Sequence, residues 1–477
     1  MAKIAIIGAG FAGHTAAIYL GNALGHDHEV TLINKFDYFL YTPSLIWVGV
    51  GHMKPEKVCV PLKPIYDRIH VRFVNGTATE IHPDENYVIA ERLDQSGRER
   101  IDYDYLVVAT GPKLNWEGTP GLGPMNGHTL SVCHLRSAAQ ARDEYQETLE
   151  RLRRGEKVKF VIGVGHPEAT CQGAAFEYMM NIDRDLIKLG LRDKAELLWL
   201  SNEPALADFG VGGIHWKKNG VMQSGEDYVR ALFNKHNIKW EVQKGVKQVD
   251  QKCIYWEDYS GNHGETDYDF AMLIPQFLGQ PMKYIGKEGE DISGKLMNKA
   301  GFVFVDGYYG LPYESLHYTP EAWPAVYQNP VYRNIFAAGI SFAPPGPISP
   351  PHITPNGTNI TAAPPRTGMV SGIIGRLVAK NLIGLVNEDK MAYQERMTEM
   401  YSACIASMGS SLWSGEATSV FLYPVVPNFL RFPNKYGRDE RITHLEGGLS
   451  GAWIKRIVHT TMLYKAKSYP GWQFIPE

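Results

Sequence analysis

The chain has 477 residues, of which 48 are Lys or Arg and 51 are Asp or Glu, for a formal net charge of −3. At roughly 150 residues per domain, this length predicts about three cores. Nucleic-acid-binding proteins need a basic excess to neutralise phosphates, and the near balance of charges excludes such a partner.

The first residues predict a strand rather than a targeting segment. The strand-like run 3–7 follows Met1 almost directly, which leaves no room for the charged, apolar and cleavage regions of a secretory signal. We therefore expect a cytoplasmic chain. No uninterrupted apolar stretch approaches the roughly 18 to 20 residues that span a bilayer. Any membrane contact is therefore expected through one face of the protein.

The first elements are typical of a strand, a glycine-rich turn, a helix and a second strand. Apolar residues 4–7 precede the sequence GAGFAG. A helical segment at 16–24 then leads to a second apolar strand at 30–33. This βαβ unit predicts a Rossmann-like nucleotide-binding fold.

The glycines of this turn have the spacing of a dinucleotide site. Gly8 allows the tight turn, Gly10 lets the backbone approach a pyrophosphate, and Gly13 lets helix and strand pack closely. The phosphates would lie at the helix N-terminus, where unpaired N–H groups and the helix dipole favour negative charge. An acidic residue is expected after the second strand, but Asn34 stands there, followed by Lys35. An amide can still bond to a ribose hydroxyl.

Later segments repeat and complete this pattern. Apolar strands are predicted at 105–110 and 334–339, and a further strand, Gly-x-Gly turn and helix begin at Val158. The Pro-rich stretch 342–365 predicts an irregular loop before a helix at 370–385. We predict an α/β fold with two Rossmann-like dinucleotide-binding domains and a C-terminal, partly helical, membrane-associating region. The predicted divisions are 1–115 and 300–390 for the first nucleotide-binding domain, 150–280 for the second, and 391–477 for the C-terminal region.

The segment 449–467 combines apolar and basic side chains at helical spacing. The apolar set is Trp453, Ile457, Val458, Met462 and Tyr464, and the polar set is Lys455, Arg456, His459, Lys465 and Lys467. An apolar face beside a cationic side is typical of a helix that lies on a membrane, although most amphipathic helices pack on their own protein core. We expect peripheral, monotopic attachment to the cytoplasmic side of the cell membrane.

Several stretches resemble those of known flavoproteins. GAGFAG, YLVVATG, the second Gly-x-Gly turn and NIFAAG together resemble the flavoproteins with two dinucleotide-binding domains, which implies FAD. Within that group the chain resembles the sulfide:quinone oxidoreductases and the related flavocytochrome c sulfide dehydrogenases. The stretches that carry this resemblance are YTPSLIWVGVG (41–51), VVATGPKL (107–114), LSVCHLRSA (130–138), CQGAAFEY (171–178), SNEPALADFGVGG (201–213), AMLIPQFLG (271–279) and PPRTG (364–368).

The resemblance implies which residues surround the FAD. The chain would pass over the flavin at residues 41–43. Arg366 stands just before a predicted helix start, where the family has Lys. A fixed positive charge there would stabilise the anionic reduced flavin, whereas the alternative is an ordinary surface arginine. The implied cofactor-binding residues are Gly8, Gly10, Phe11, Ala12, Gly13, Asn34, Lys35, Thr42, Pro43, Thr110, Gly111, Gly339, Ile340, Arg366, Thr367 and Gly368.

The second glycine turn differs from an NAD(P)H site. Gly163 and Gly165 are followed by Pro167, Glu168 and Cys171, where a third glycine would open the helix for a pyrophosphate. A carboxylate beside an incoming pyrophosphate is repulsive. We therefore predict that the second nucleotide fold does not bind NAD(P)H.

The cysteines are scattered and lack metal-ligand spacing, so no metal site is predicted. Cys171 lies near a predicted helix start, which favours the thiolate, although a lone cysteine is as often a small buried hydrophobe. The resemblance implies that Cys171 accepts sulfide sulfur near the flavin. It also implies that Cys133 handles sulfur or links the flavin covalently.

The resemblance implies a third cysteine in the segment just after the predicted strand 334–339, where this chain has Ile, Ser and Phe at 340–342. Three interpretations follow. Cys133 takes the missing role, or Cys404 is brought in from the C-terminal region, or the chemistry has changed. Cys59 and Cys253 are interpreted as structural.

The resemblance implies an enzyme that oxidises sulfide to sulfane sulfur or polysulfide. The sulfur would first be held as a persulfide on Cys171. The electrons would pass through FAD to a membrane quinone. Phe277, Phe342 and Tyr423 are candidates for a quinone slot, with packing as the alternative for each. Three other functions stay open: a type II NADH:quinone oxidoreductase, a soluble sulfide dehydrogenase subunit, and a flavin-binding redox sensor or assembly subunit without sulfide turnover. The family also suggests a homo-oligomer.

Overall fold

The structure, a computed structural model, describes residues 1–95, 97–365, 367–409, 413–433 and 435–477. Its strands are β1 Lys3–Ile7, β2 Glu29–Asn34, β3 Tyr38–Leu40, β4 Cys59–Pro61, β5 Val71–His82, β6 Tyr87–Arg92, β7 Arg98–Asp102, β8 Tyr105–Val108, β9 Pro112–Asn115, β10 Val158–Val164, β11 Ala195–Leu200, β12 His215–Lys218, β13 Val221–Ser224, β14 Ile238–Glu241, β15 Lys244–Val249, β16 Cys253–Asp258, β17 His263–Asp267, β18 Phe270–Ile274, β19 Gln276–Gly279, β20 Lys283–Tyr284, β21 Ile335–Ala337, β22 Ser402–Met408, β23 Glu416–Leu422 and β24 His444–Gly448. Its helices are α1 Phe11–Leu24, α2 Leu45–Gly49, α3 Lys63–Arg68, α4 Leu135–Arg153, α5 Gln172–Leu189, α6 Gly225–Lys235, α7 Ser293–Leu296, α8 Tyr313–Leu316, α9 Gly368–Glu388 and α10 Leu449–Ala466.

The first nucleotide fold is built on a parallel sheet in the order β21-β8-β1-β2-β5, extended by antiparallel β6 and β7. The continuous apolar runs of β1, β8 and β21 are buried because helices cover parallel sheets. Strand β21 comes from late in the chain and pairs directly with β8. It therefore completes the sheet begun by the N-terminal residues.

The second nucleotide fold has a four-stranded parallel sheet in the order β14-β11-β10-β18, with α5 packed on it. An antiparallel sheet of β15, β16 and β17 follows, and β9 pairs with β19 between the two folds. The predicted α/β class with two Rossmann-like folds is confirmed.

Helix α1 begins at Phe11, directly at the glycine turn, rather than at residue 16. The small residues of its first turn give no apolar periodicity, so the sequence pattern predicted a later start. A Cβ at Gly13 would lie 1.9 Å from the carbonyl oxygen of Gly8, and one at Gly375 of α9 would lie 2.3 Å from that of Ala12. Close packing of α1 on the turn and on α9 therefore requires these glycines.

The C-terminal region contains an antiparallel sheet of β22, β23 and β24 that the sequence analysis did not predict. Its strands SACIASM and EATSVFL are rich in Ser, Thr and Ala, which weakens the apolar alternation that identifies a strand. Helix α10 packs on β22 and β23, and β22 packs on α5. The sheet therefore lies between α10 and the second nucleotide fold.

Among the described residues, one helix is long and apolar enough to cross a membrane by length and composition. This is α9, whose most apolar window has a mean hydropathy of 1.5 and is 61% buried within the protein. The expectation that no segment would meet this criterion was wrong. Since α9 packs along α1, burial in the core accounts for its apolar character.

Candidate functional site

The loops that follow three adjacent parallel strands meet at one edge of the first sheet. Gly8 follows β1, Thr110 and Gly111 follow β8, and Gly339 follows β21. The hydroxyl oxygens of Thr110 and Ser341 are 3.3 Å apart. The carboxyl ends of parallel strands lie at the same edge of a sheet, so residues far apart in sequence lie close together here. Open α/β sheets bind their ligands at this edge.

The start of α1 is open at this edge. Gly10 is the residue before the helix, and a Cβ at this position would meet no atom within 4 Å. The first turn of the helix contains no acidic residue. Its N–H groups and the positive end of its dipole therefore fit the pyrophosphate of a dinucleotide.

Asn34 supports this turn from the end of β2. Its Oδ1 accepts a hydrogen bond from the Ala9 N–H at 3.0 Å, and its Nδ2 donates to the Phe36 carbonyl at 2.7 Å. The side chain thus holds the glycine turn, in addition to the ribose contact expected of it. Lys35 is exposed beside it.

A second wall of the site comes from residues 41–44 and the start of α9. Tyr41 is 3% exposed, its ring lies 5.7 Å from that of Phe11, and Thr42 and Pro43 follow in a short 3-10 helix. The Thr367 hydroxyl, just before α9, is buried without a hydrogen-bond partner among the described residues. A buried polar atom without a partner fits a ligand group at this position.

One pocket joins several predicted cofactor residues. It is lined by Gly339, Ile340, Phe342, Pro364, Thr367 and Val370, among others. Gly368 follows Thr367 in the chain, and a Cβ at Gly368 would lie 3.0 Å from the Phe11 ring. Arg366, predicted beside the flavin, lies outside the described residues.

Cys171 is the residue before α5 and has a φ of +64°. A side chain other than glycine in the left-handed region costs on the order of 1 to 3 kcal/mol, and such strain is concentrated at functional sites. No acidic residue lies in the first turn of α5, so the helix dipole favours a thiolate here. The neighbouring Thr170 hydroxyl donates to the Pro364 carbonyl at 2.7 Å, and Pro364 lines the pocket described above.

Two other thiols lie near Cys171. Burial raises the pKa of Cys133 to about 12, with a smaller contribution from Cys171. Burial also raises the pKa of Cys404 to about 11, with the Lys455 cation opposing it and Glu177 and Cys171 adding to it. Part of the Cys404 side chain is nevertheless exposed to solvent. Burial therefore disfavours the thiolate form of both side chains.

Glu177 and Lys455 form a buried ion pair that the sequence analysis missed. Lys455 Nζ lies 3.0 Å from Glu177 Oε2, and the two side chains are 8% and 6% exposed. Ser407 donates to the other carboxylate oxygen from both its hydroxyl and its N–H. The available signal was a single carboxylate inside the apolar run AAFEYMM of α5. The pair connects α10 and β22 to the helix that begins after Cys171.

The second glycine turn is covered by the chain itself. The N–H groups of Thr361 and Ala363 donate to the carbonyls of Pro167 and Ala169 at 3.0 and 3.1 Å. Asn202 Nδ2 also donates to the Pro167 carbonyl, at 2.9 Å. Residues 359–365 therefore lie along the turn that would receive a second dinucleotide.

Glu203 follows β11, near the position where an NAD-binding fold has a ribose-binding acid. Its carboxylate accepts from the Ser201 hydroxyl at 2.6 Å and the Phe209 N–H at 2.7 Å. The side chain is fully buried, and burial raises its pKa to about 8. Glu203 is therefore turned into the protein rather than presented to a nucleotide.

The three aromatic candidates for a quinone slot lie in different surroundings. Phe342 lines the pocket beside Thr367 and packs edge-on to Tyr327 at 5.2 Å. Phe277 lies in β19 against the core of the second nucleotide fold. Tyr423 follows β23 and contacts Phe432 at 6.3 Å. Phe342 alone of these three shares the pocket with predicted cofactor residues.

The fold and the site define an oxidoreductase with two dinucleotide-type folds. A family model described as pyridine nucleotide-disulphide oxidoreductase matches residues 2–166. The chain is 31% identical over 439 residues to the sulfide-quinone reductase of Aquifex aeolicus, which covers 92% of this chain and 87% of that protein. The chain belongs to the sulfide:quinone oxidoreductase family, a family of flavin-dependent enzymes, and the resemblance seen in the sequence is confirmed.

Solved structures agree with this assignment. The X-ray structure of sulfide:quinone oxidoreductase from Aquifex aeolicus matches with a TM-score of 0.77 and 28% identity, over 98% of this chain and 92% of that chain. A more distant relative is the external NADH-ubiquinone oxidoreductase 2 of Saccharomyces cerevisiae, 21% identical over 59% of this chain and 50% of that protein. The NADH-dependent relative is thus less similar and covers less of the chain.

Proposed function

We propose that this protein oxidises hydrosulfide to sulfane sulfur or polysulfide, with FAD as the cofactor and a membrane quinone as the electron acceptor. The observation that carries the proposal is Cys171, held in a left-handed conformation at the start of α5 and next to the wall of the pocket that Thr367 and Gly339 line. A strained nucleophile beside a cofactor pocket is typical of a reacting group.

The chain's own residues supply binding, orientation and a nucleophile. The start of α1 would hold the pyrophosphate of FAD, and Thr110, Gly339 and Thr367 would hold the flavin end. When bound, the isoalloxazine supplies a two-electron acceptor for thiol and sulfide oxidation. Cys171 holds the sulfane sulfur, while the buried Tyr41 ring excludes water from one side of the site.

The alternative of a type II NADH:quinone oxidoreductase is disfavoured by the second nucleotide fold. Residues 359–365 lie hydrogen-bonded along the turn where NADH would bind, and Glu168 of that turn is bonded to Asn359 at 2.6 Å. Glu203, the acid available for a ribose, is bonded within the protein. Both observations support a fold that no longer takes up NAD(P)H.

The test is anaerobic mixing of the purified, detergent-solubilised protein with hydrosulfide and, separately, with NADH. We expect hydrosulfide to bleach the bound flavin, NADH to leave it oxidised, and an added quinone to restore the absorbance. Bleaching by NADH alone would contradict the proposal and favour a type II NADH:quinone oxidoreductase. If neither donor reduced the flavin, a sensor or assembly function would be favoured.

The outward side of α10 supports attachment to a membrane. Trp453, Ile457 and Tyr464 are 46%, 59% and 40% exposed, whereas Lys455 and Lys465 turn inward to Glu177 and Glu477. These two lysines were predicted on the cationic, polar side of the helix, but both are buried against carboxylates. An exposed apolar helix face is the feature that binds a bilayer interface. We infer a peripheral attachment, on the cytoplasmic side, that brings the quinone to the enzyme.

Replacing Ile457 with glutamate is expected to weaken binding to phospholipid vesicles by at least roughly tenfold, because it removes an apolar side chain from the interface and adds a charge. Cosedimentation with vesicles measures the effect. Ile187→Glu is the matched control, since Ile187 is 45% exposed on α5 and outside α10. Equal loss in both variants, or none in either, would contradict attachment through α10.

A further inference from the structure

His459 of α10 contacts the wall of the cofactor pocket. Its ring lies 5.5 Å from the ring of Tyr41 and 5.7 Å from that of Trp47. Tyr41 in turn packs on Phe11, at the start of α1, with 5.7 Å between the ring centres. Ring contacts therefore connect His459 to the helix start that fits a dinucleotide.

The opposite side of α10 is exposed. Ile457, two residues before His459, is 59% exposed, whereas His459 is half-buried. Two residues of α-helix turn through about 200°, so these two side chains point in nearly opposite directions. His459 therefore lies between the helix face proposed for the bilayer and the Tyr41 wall.

A hydrogen bond fixes the orientation of this imidazole. Nδ1 of His459 lies 2.8 Å from the hydroxyl oxygen of Ser44, a fully buried residue. The Ser44 N–H donates to the Tyr41 carbonyl at 3.3 Å, so the anchor belongs to the same wall. Nε2 of His459 has no hydrogen-bond partner among the described residues. One ring nitrogen is thus held, and the other is available to a ligand.

The titratable groups on the elements packed against α10 are less suited to exchange a proton near neutral pH. Glu177 of α5 is bonded to Lys455 in the buried ion pair. Burial raises the pKa of Tyr41 far above neutral pH, with a smaller contribution from Glu177. Burial also raises the pKa of Cys404, on β22, to about 11.

His459 differs from these groups in its ordinary pKa. Burial lowers the pKa of His459 below its usual value of 6.5, and the Lys455 and Arg456 cations on the same helix lower it further. Imidazole changes its charge within the range of pH where enzymes work. His459 can therefore release and regain a proton during turnover.

We propose that His459, oriented by Ser44, transfers a proton to the quinone while the quinone is reduced. This inference rests on the proposed function, in which a membrane quinone accepts the electrons. Formation of a quinol takes up two electrons and two protons. Both electrons and one proton come from the reduced cofactor, and the second proton passes from His459 Nε2 to a quinone oxygen. The imidazole then regains a proton from water at the interface.

Reoxidation of the reduced protein tests this role separately from sulfide chemistry. The flavin-loaded protein in detergent is reduced with dithionite and mixed anaerobically with a short-chain benzoquinone, at values from about pH 5 to pH 8. Because the protonated imidazole is the donor, the wild-type rate should fall as the pH rises through the pKa of His459, with a midpoint below 6.5.

In His459→Gln we expect reoxidation to be at least about tenfold slower at the acid end of this range, and independent of pH. Ser44→Ala should slow reoxidation severalfold and keep the pH dependence, since the imidazole remains but loses its anchor. Thr460→Ala, at the next and exposed position of α10, is the control and should match wild type.

Tryptophan fluorescence of the oxidised protein gives a second readout that needs no turnover. A protonated imidazole quenches an indole in contact with it, and Trp47 is in contact with His459. Wild-type fluorescence should therefore fall as the pH drops through the midpoint of the kinetic profile. This change should be absent from both His459→Gln and Trp47→Phe.

His459→Gln that is reoxidised at the wild-type rate, or that keeps the fluorescence change, would overturn the inference while leaving quinone reduction intact. If His459→Gln lost its flavin, Ser44→Ala would decide, and an unchanged rate in that variant would also overturn the inference. A reduced wild-type protein that the quinone does not reoxidise would instead overturn the proposed acceptor.

Discussion

Replacing Cys171 with alanine is expected to slow flavin reduction by hydrosulfide by at least about a hundredfold, because it removes the nucleophile that holds sulfur. The rest of the site should persist. Alanine is as strained as cysteine at a φ of +64°, and the thiol does not cap α5. Flavin content and secondary structure should therefore match the wild type. Stopped-flow absorbance under anaerobic conditions measures the rate.

Cys59→Ala is the matched control for this experiment. Cys59 is half-buried in β4, which pairs with β3 and not with the strands of the second fold. Its loss should leave the rate of flavin reduction unchanged. If Cys171→Ala were still reduced at the wild-type rate, the sulfur would have to be accepted elsewhere, and the proposed role of Cys171 would be wrong.

Replacing Lys455 with alanine is expected to destabilise the protein by about 3 to 5 kcal/mol, because the Glu177 side chain would remain buried without its partner. The thermal unfolding midpoint should fall by roughly 5 °C or more. Because Lys455 joins α10 to α5, we expect proteolysis within α10 to accelerate first. Thermal denaturation with limited proteolysis measures both effects.

Two further variants identify the cause of this loss. Arg456→Ala, at the next and half-exposed position of α10, should change the midpoint little. The double variant Glu177→Gln with Lys455→Met removes both charges and should recover most of the lost stability, because neither buried charge is left unpaired. A double variant as unstable as Lys455→Ala alone would show that packing, and not charge, causes the effect.

The cofactor edge was largely predictable from sequence. The spacing of Gly8, Gly10 and Gly13 indicates a tight turn with close backbone packing, which depends on local sequence alone. The apolar runs YLVVAT and NIFAAG indicate strands that are buried on both faces of a parallel sheet. Once these strands are adjacent, their carboxyl ends must lie together. The residues that follow these strands therefore lie close together, regardless of the sequence between the strands.

The C-terminal region was predicted less well. Its strands β22 and β23 carry small and hydroxyl-bearing side chains, so the pairing that forms them is not visible in the hydrophobic pattern. Helical periodicity predicted that 449–467 is amphipathic, but it could not tell which side faces the protein. Burial of Lys455 became possible only because Glu177, on a distant helix, supplies the opposite charge.

The sequence by itself determined the two nucleotide folds, the glycine turn at the start of α1 and the family, because each depends on residues close together in the chain. Only the tertiary structure decided that 359–365 covers the second turn and that Lys455 points inward. These features depend on contacts between segments far apart in sequence. Such contacts form when elements pack, and neither periodicity nor spacing along the chain encodes them.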